Sequence, residues 1–178
     1  IKKDTYKQGV LKMETKIKLN SYDMITAAQT GLLRVIESDK RNENWGAGYK
    51  ESLNKKISDS ISGAMAEIAV ANCLDIIYQF HCNVGSIPDL MYNELKIQVR
   101  CQPPKKFNSL IIRPGYDKEN QLFVHVIDEA PIFKISGFIN SSKILGKEYY
   151  LTTFGLDRPA CHSVPLNLLN DINEIKKI

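Results

Sequence analysis

The sequence predicts an α+β fold in which a mixed β-sheet is flanked by helices. Helical patterns occupy residues 20–74 apart from a predicted loop at residues 41–49, and strand-like runs occupy most of residues 95–164. A chain that places its helices before a block of strands is typical of the α+β class, because the apolar helix faces need a sheet to cover. The length of 178 residues and the hydrophobic content of 43% suffice for one domain with a substantial core.

The first predicted helix begins after Asn20, a residue type that caps helix N-termini, and it has Asp23 in its first turn. Gly31 interrupts the pattern at a cost of about 1 kcal/mol relative to alanine, which a packed helix tolerates. Apolar residues at helical spacing predict one buried stripe, formed by Ile25, Ala28, Leu32 and Val35 or Ile36.

The second predicted helix begins after Ser58 or Ser60 and ends near Leu74, and a short helix over residues 50–57 precedes it. Glu67 lies just off its apolar side, among small neighbours that would let a pair of strands approach closely. An exposed glutamate on an amphipathic helix is the ordinary alternative. The predicted buried side consists of Ile61, Ala64, Met65, Ile68 and Cys73.

A tight β-hairpin is predicted after the second helix, because apolar and polar residues alternate cleanly after a turn signal. The turn is formed by residues 93–94 or by residues 92–93, so Asp89 faces Gln98 in one register and Lys96 in the other. Cross-strand partners share a face of the sheet. In both registers four polar side chains therefore project together: Asp89, Lys96, Gln98 and Arg100.

Further strands are predicted after the hairpin, at residues 109–113, 121–127, 132–140, 149–154 and 161–164. Both faces of residues 121–127 are apolar, which is typical of a central strand that is covered on both sides. His125 on such a strand is expected to be a core histidine with satisfied hydrogen bonds and not a catalyst. A polar helix is predicted over residues 167–178.

The net charge of +4 is concentrated at the start of the chain, where residues 1–18 carry six lysines against Asp4 and Glu14. We therefore predict a lysine-rich N-terminal arm or cap over residues 1–18 and a single domain over residues 19–178. A second basic group lies near the hairpin and favours a polyanionic partner, although a solvated lysine-rich loop is the alternative. Its members are Lys96, Arg100, Lys105, Lys106, Arg113 and Lys118.

The four cysteines form no C-x-x-C pair and no zinc spacing, so we expect reduced thiols and a cytoplasmic protein. The sequence contains no apolar run of about 18 residues, so no transmembrane helix is expected. No signal peptide is visible either.

Glu67 and the polar face of the hairpin suit phosphodiester chemistry. Divalent cations prefer hard oxygen ligands, and a neighbouring cation can neutralise a phosphate. The arrangement resembles the PD-(D/E)XK nuclease superfamily, with Pro88-Asp89 as its proline–aspartate pair. More narrowly, it is similar to small phage-borne and bacterial proteins that read G-A-x-x-E-x-A-V, then D, then (E/Q)-V-(K/R). Here these motifs are residues 63–70, Asp89 and Gln98-Val99-Arg100.

Two later segments extend the resemblance, which covers roughly residues 20–169. Leu110-Ile111-Ile112-Arg113 matches an apolar strand that ends in arginine, and Gly137-Phe138-Ile139 matches a glycine-tryptophan-isoleucine segment. The chain departs from the superfamily at its E-x-K motif, which Gln98-Val99-Arg100 replaces. A literal Glu94-Leu95-Lys96 also exists, but its glutamate falls in the predicted turn.

The resemblance implies a restriction-endonuclease-like fold and a DNA endonuclease that uses Mg²⁺ or Mn²⁺, associated with phages or mobile elements. It implies Asp89, Glu67 and Gln98 as metal ligands and Arg100 as the phosphate clamp, with Lys96 replacing Arg100 if the register shifts. From their charge, Lys105, Lys106 and Arg113 are expected to bind the phosphates of DNA. The protein could be a homodimer. The alternative is a catalytically degenerate scaffold that binds nucleic acid or protein without cleaving.

Overall fold

The computed structural model of the chain describes residues 14–43, 52–82, 87–104, 108–113, 120–147, 150–155 and 159–178. Its two α-helices are α1 (Ser21–Lys40) and α2 (Leu53–Leu74). The strands are β1 (Thr15–Lys18), β2 (Leu90–Tyr92), β3 (Leu95–Gln102), β4 (Ser109–Ile112), β5 (Gln121–Glu129), β6 (Ile132–Asn140), β7 (Leu151–Thr152) and β8 (Cys161–Pro165). Short 3₁₀ turns follow β6 and β8.

The strands form two sheets. The larger one has the order β1-β6-β5-β3-β2, and it is mixed because β3 runs parallel to β5 while its other pairs are antiparallel. The smaller one is antiparallel, with the order β4-β8-β7. The predicted α+β class with a helix-flanked mixed sheet is confirmed.

The larger sheet is covered on both faces, and β5 shows this most directly. Leu122 and Val124 pack in one apolar cluster with buried residues of α2. Phe123, whose side chain points the other way, packs with Leu110 of β4 and Val164 of β8. The prediction of a central, covered strand is confirmed.

Helix α1 packs on α2, and it does so through a different face from the predicted one. Its buried residues are Ala27, Thr30, Gly31, Arg34, Val35 and Ser38. Ile25 is 57% exposed, and Leu32 and Ile36 also lie at the surface. A β-carbon on Gly31 would stand 2.6 Å from the backbone nitrogen of Ile61. The predicted stripe is therefore wrong at Ile25, Leu32 and Ile36 and correct at Val35, because α1 turns the face that contains Gly31 towards α2.

Helix α2 is longer than predicted. It begins at Leu53, where the Ser52 side chain accepts a hydrogen bond from the Lys55 N–H, so residues 53–57 are its first turns and not a separate helix. Asp75 ends it in the left-handed conformation, with φ of 57°. Its second half is buried on nearly every side, because α1 and the sheet both cover it. In the described part of the chain, neither helix is long and apolar enough to cross a membrane.

Both ends of the described chain differ from the prediction. Residues 15–18, assigned to the basic arm, form an edge strand that pairs with β6. The predicted C-terminal helix is instead made of 3₁₀ turns, and its Ile172 and Ile175 are buried in the main core. Asn170 exchanges two backbone hydrogen bonds with Phe138 of β6, which fastens this segment to the sheet.

His125 is fully buried, and both of its ring nitrogens have partners. Nε2 lies 3.2 Å from Gln102 Oε1, and Nδ1 lies 2.9 Å from Ser136 Oγ. The Gln102 amide nitrogen donates to the Ser109 carbonyl, so its oxygen must accept from a protonated Nε2. Burial lowers the pKa of His125 to about 4, which keeps the ring neutral. The expectation of a satisfied core histidine is confirmed.

The contact between α1 and α2 generates a prediction with a matched control. Gly31→Ala should destabilise the protein by about 1–3 kcal/mol, because the new methyl group meets the Ile61 backbone. Gly63→Ala, also in a helix but with nothing within 4 Å of its β-carbon, should stabilise it by about 0.5–1 kcal/mol. Urea unfolding monitored by circular dichroism measures both. Equal effects of the two substitutions would contradict the close helix contact.

Candidate functional site

The hairpin follows the first of the two predicted registers. Leu90 pairs with Ile97, Met91 with Lys96 and Tyr92 with Leu95, so Asn93 and Glu94 form the turn. Asn93 has a φ of 53°, a left-handed conformation that asparagine adopts more readily than most residues. Because the literal E-x-K places Glu94 in this turn, its carboxylate lies outside the polar face of the hairpin.

Asp89 stands directly before β2, at the edge of the larger sheet. Its Oδ2 accepts a hydrogen bond of 2.7 Å from the Val99 N–H, so the carboxylate continues the ladder between β2 and β3 by one step. The side chain is 17% exposed. Asp89 is thus held rigidly by the backbone of β3 and remains accessible from solvent.

Arg100 joins two of the predicted site residues. Its Nη2 donates to Gln98 Oε1 at 3.3 Å, and its Nη1 lies 3.8 Å from Asp89 Oδ2. The guanidinium also lies over the ring of Phe123, 5.6 Å from the ring centre, and its side chain is 25% exposed. The structure therefore brings Asp89, Gln98 and Arg100 into one cluster, as the alternation in the sequence predicts.

Glu67 is buried and fully engaged by its neighbours. Both of its oxygens accept from Arg34 of α1, at 2.7 and 2.8 Å, in a bidentate ion pair. The Tyr78 hydroxyl donates to the same carboxylate at 3.0 Å. Arg34 Nε also donates to the His81 carbonyl at 3.0 Å. The ion pair thus fixes the segment that follows α2.

The sequence analysis did not identify Arg34 as a partner of Glu67. A signal was present, since Arg34 interrupts the apolar run of residues 32–36. A charged residue inside such a run is buried only when it is paired. Its partner, however, lies 33 positions away on another helix, and no local pattern identifies it.

Glu67 and the hairpin cluster lie on opposite sides of β3. Ile97 and Val99 face α2 in the main apolar cluster, so Gln98 and Arg100 project from the other face. Asp89 lies at the sheet edge, where charged groups from both sides of β3 affect its pKa. Burial and then the charge of Glu67 raise the pKa of Asp89 to about 7, although Arg100, the Val99 N–H and Arg34 act against the shift.

The basic residues of the prediction are dispersed or not described. Lys96 is exposed near the start of β3, opposite Met91 on β2. Arg113 is exposed immediately after β4, in the smaller sheet. Lys105 and Lys106 lie outside the described residues, so their predicted role in DNA binding stays a prediction.

Few side chains of the candidate site could coordinate a metal ion. Within the described ranges no group of three or more histidine, cysteine, aspartate or glutamate side chains is arranged to hold one. Asp89 offers a carboxylate and Gln98 an amide oxygen, whereas Arg34 and Tyr78 occupy the oxygens of Glu67. Mg²⁺ can bind through one or two carboxylates when substrate phosphates and waters complete its shell. The residues fit an ion that arrives with a phosphate ligand.

Compared with protein-family models, curated proteins and solved structures, the chain gives no match in any of the three. The resemblance to the PD-(D/E)XK superfamily therefore rests on the residues alone.

The buried ion pair should dominate the stability of the helical layer. Glu67→Leu or Arg34→Met should each cost about 3–5 kcal/mol, because each leaves its former partner buried without a counter-charge. The double variant Arg34→Met/Glu67→Leu should be more stable than either single variant. Asp59→Asn, which removes the exposed ion pair with Lys55, should change stability by less than about 1 kcal/mol. Additive losses in the double variant, measured by urea unfolding, would contradict this account.

The protonation of Asp89 should make stability fall with rising pH. Its pKa is raised from 3.8 to about 7 in the folded state, so the stability that this shift contributes is fully present below pH 3.8 and is lost as the pH rises through 7. His125 acts in the opposite direction, because its pKa falls from 6.5 to about 4 on folding. Subtracting the unfolding free energy of Asp89→Asn from that of the wild type cancels the His125 contribution. This difference should decrease steadily between pH 4 and pH 7, and a flat difference would refute the raised pKa.

Proposed function

We propose that the protein is a metal-dependent nuclease that hydrolyses phosphodiester bonds in DNA. One observation carries the proposal: the carboxylate of Asp89 and the amide oxygen of Gln98 converge on the partly exposed guanidinium of Arg100. An acid, a neutral oxygen and a fixed cation at one sheet edge provide the groups that a phosphodiester and its metal ion need.

Each residue of the cluster would have a separate task. Arg100 would bind the scissile phosphate through two N–H donors, and its permanently charged guanidinium cannot act as a base. Gln98, which accepts from Arg100 Nη2, would orient it. Asp89 would hold Mg²⁺ or Mn²⁺ together with phosphate oxygens. The ion would lower the pKa of a bound water and neutralise charge that develops on the phosphate.

Glu67 and Lys96 would contribute less directly. Because Arg34 and Tyr78 occupy its oxygens, Glu67 would act on the metal through its charge. Lys96, on the same face of β3 as Gln98 and Arg100, would attract the phosphate backbone. The four cysteines are free thiols, which supports the cytoplasm as the proposed location.

A second function is favoured by a specific observation, the bidentate pair between Arg34 and Glu67. It leaves Asp89 as the one carboxylate of the cluster with a direct route to a metal. With Gln98 and Arg100 in place of the E-x-K residues, the same surface could hold a phosphate without cleaving it. The protein would then be a nucleic-acid binding module on a nuclease-like scaffold.

A cleavage assay separates the two functions. Plasmid and oligonucleotide substrates are incubated in Mg²⁺ or Mn²⁺ with wild type, Asp89→Asn, Gln98→Glu and the surface control Asp59→Asn. For a nuclease, we expect cleavage by wild type and control, a loss of at least about 100-fold in Asp89→Asn, and equal or higher activity in Gln98→Glu because a second carboxylate joins the metal site. Intact DNA in every sample, with phosphate-dependent binding that Gln98→Glu weakens, would instead support the binding module.

A further inference from the structure

A pocket of about 280 Å³ lies directly beside the Asp89 cluster. Its walls come from two segments that approach each other, the irregular chain after α2 and the entry into β2. The residues that matter here are Ile77, Phe80, His81, Ile87, Asp89 and Met91. Asp89 belongs to both the pocket and the cluster, so a ligand in the pocket would contact the carboxylate whose Oδ2 lies 3.8 Å from Arg100 Nη1.

The rim of this pocket is apolar and unusually exposed. Ile77 is 89% exposed, Phe80 51% and Met91 46%, although a well-packed core lies immediately below them. Contiguous apolar side chains in water are unfavourable, and where polar groups interrupt them they commonly mark a binding surface. Here the interrupting groups are Asp89 and His81 on the pocket wall.

We propose that this pocket receives an unpaired nucleobase, so that the substrate is single-stranded or locally unpaired nucleic acid. This inference rests on the proposed function, because it assumes that Arg100 contacts the phosphate of the same strand. The volume lies at the lower limit of small-molecule sites, which fits a single base better than a larger group.

The side chains that line the pocket also suit a nucleobase. Every base has an apolar face that stacks on an aromatic ring such as Phe80, and polar edges that can meet Asp89 and His81. A base inside a duplex has both faces stacked and its pairing edge occupied, so it must leave the helix before it can enter a pocket. Unpaired nucleic acid avoids this cost, and the pocket therefore selects for it.

Binding measurements in EDTA, which prevent metal-dependent cleavage, test the proposal. Fluorescence anisotropy compares a single-stranded oligonucleotide, its duplex, and the same strand with abasic sites, which keeps the phosphates and removes bases. Phe80→Ala should weaken single-strand binding by about five- to hundredfold, and Phe80→Trp should preserve it. The abasic strand should bind wild type and Phe80→Ala equally. Tyr22→Ala, an exposed aromatic on α1, is the control and should change nothing.

The salt dependence separates base contacts from phosphate contacts. Phe80→Ala should lower affinity without changing the slope of log affinity against log salt, because no phosphate contact is lost. Arg100→Ala should flatten that slope by about 0.7 for a single strand. Ile77→Ser, at a position open to solvent, should reproduce the Phe80→Ala effect more weakly, and it serves if Phe80→Ala fails to fold.

Each result supports or overturns the base pocket. Unchanged single-strand affinity in Phe80→Ala and Ile77→Ser, with a loss in Arg100→Ala, would overturn the pocket and leave the proposed function intact. If Phe80→Ala weakens the binding of the duplex and of the single strand equally, the preference for unpaired nucleic acid is overturned. Failure of the wild type to bind any of the three oligonucleotides in EDTA would overturn the pocket, whereas the cleavage assay in Mg²⁺ or Mn²⁺ tests the proposed function separately.

Discussion

The bidentate ion pair between Arg34 and Glu67 is the interaction on which the site depends. It joins α1 to α2 inside the protein, and through the His81 carbonyl and the Tyr78 hydroxyl it also fixes the segment that leaves α2. That segment forms one wall of the pocket beside Asp89. The charge of Glu67 also contributes to the raised pKa of Asp89. The ion pair therefore shapes the candidate site, and its glutamate contributes to the raised pKa of Asp89.

The same ion pair explains why α1 presents apolar residues to solvent. Turning α1 to bury Ile25, Leu32 and Ile36 would gain roughly 1 kcal/mol for each half-exposed side chain. That rotation would remove Arg34 from Glu67, and an unpaired buried charge costs about 3–5 kcal/mol. It would also lose the close approach that Gly31 permits. The electrostatic term is at least as large as the hydrophobic gain, and the observed face is the one that satisfies it.

What the sequence predicted correctly was local. The sequence pattern identified four of the five strands of the larger sheet, all except β1, and alternation with a period of two identified the shared face of Gln98 and Arg100. Neighbouring residues alone decide which face of a strand a side chain takes. The helix faces were not predictable in this way. The orientation of α1 depends on Glu67, which lies on another helix. The N-cap of α2 is Ser52, several residues upstream of the predicted caps. The base pocket likewise joins residues of two separate segments.

The position of strand β4 in the sequence implies an order in which the two sheets form. It lies in the sequence between β3 and β5, which pair in parallel, yet it belongs to the other sheet and pairs with β8, where Ser109 meets Pro165. In the described part of the chain, β4 pairs with β8 alone, so until β8 has been synthesised the strand is unpaired and the apolar cluster around Phe123 lacks Val164 and Leu169. Such long-range pairing is slow to form. Because Arg100 lies over that same phenylalanine, β8 completes the packing beneath the site. A chain that is still being synthesised therefore contains the residues of the site before the packing beneath them is complete.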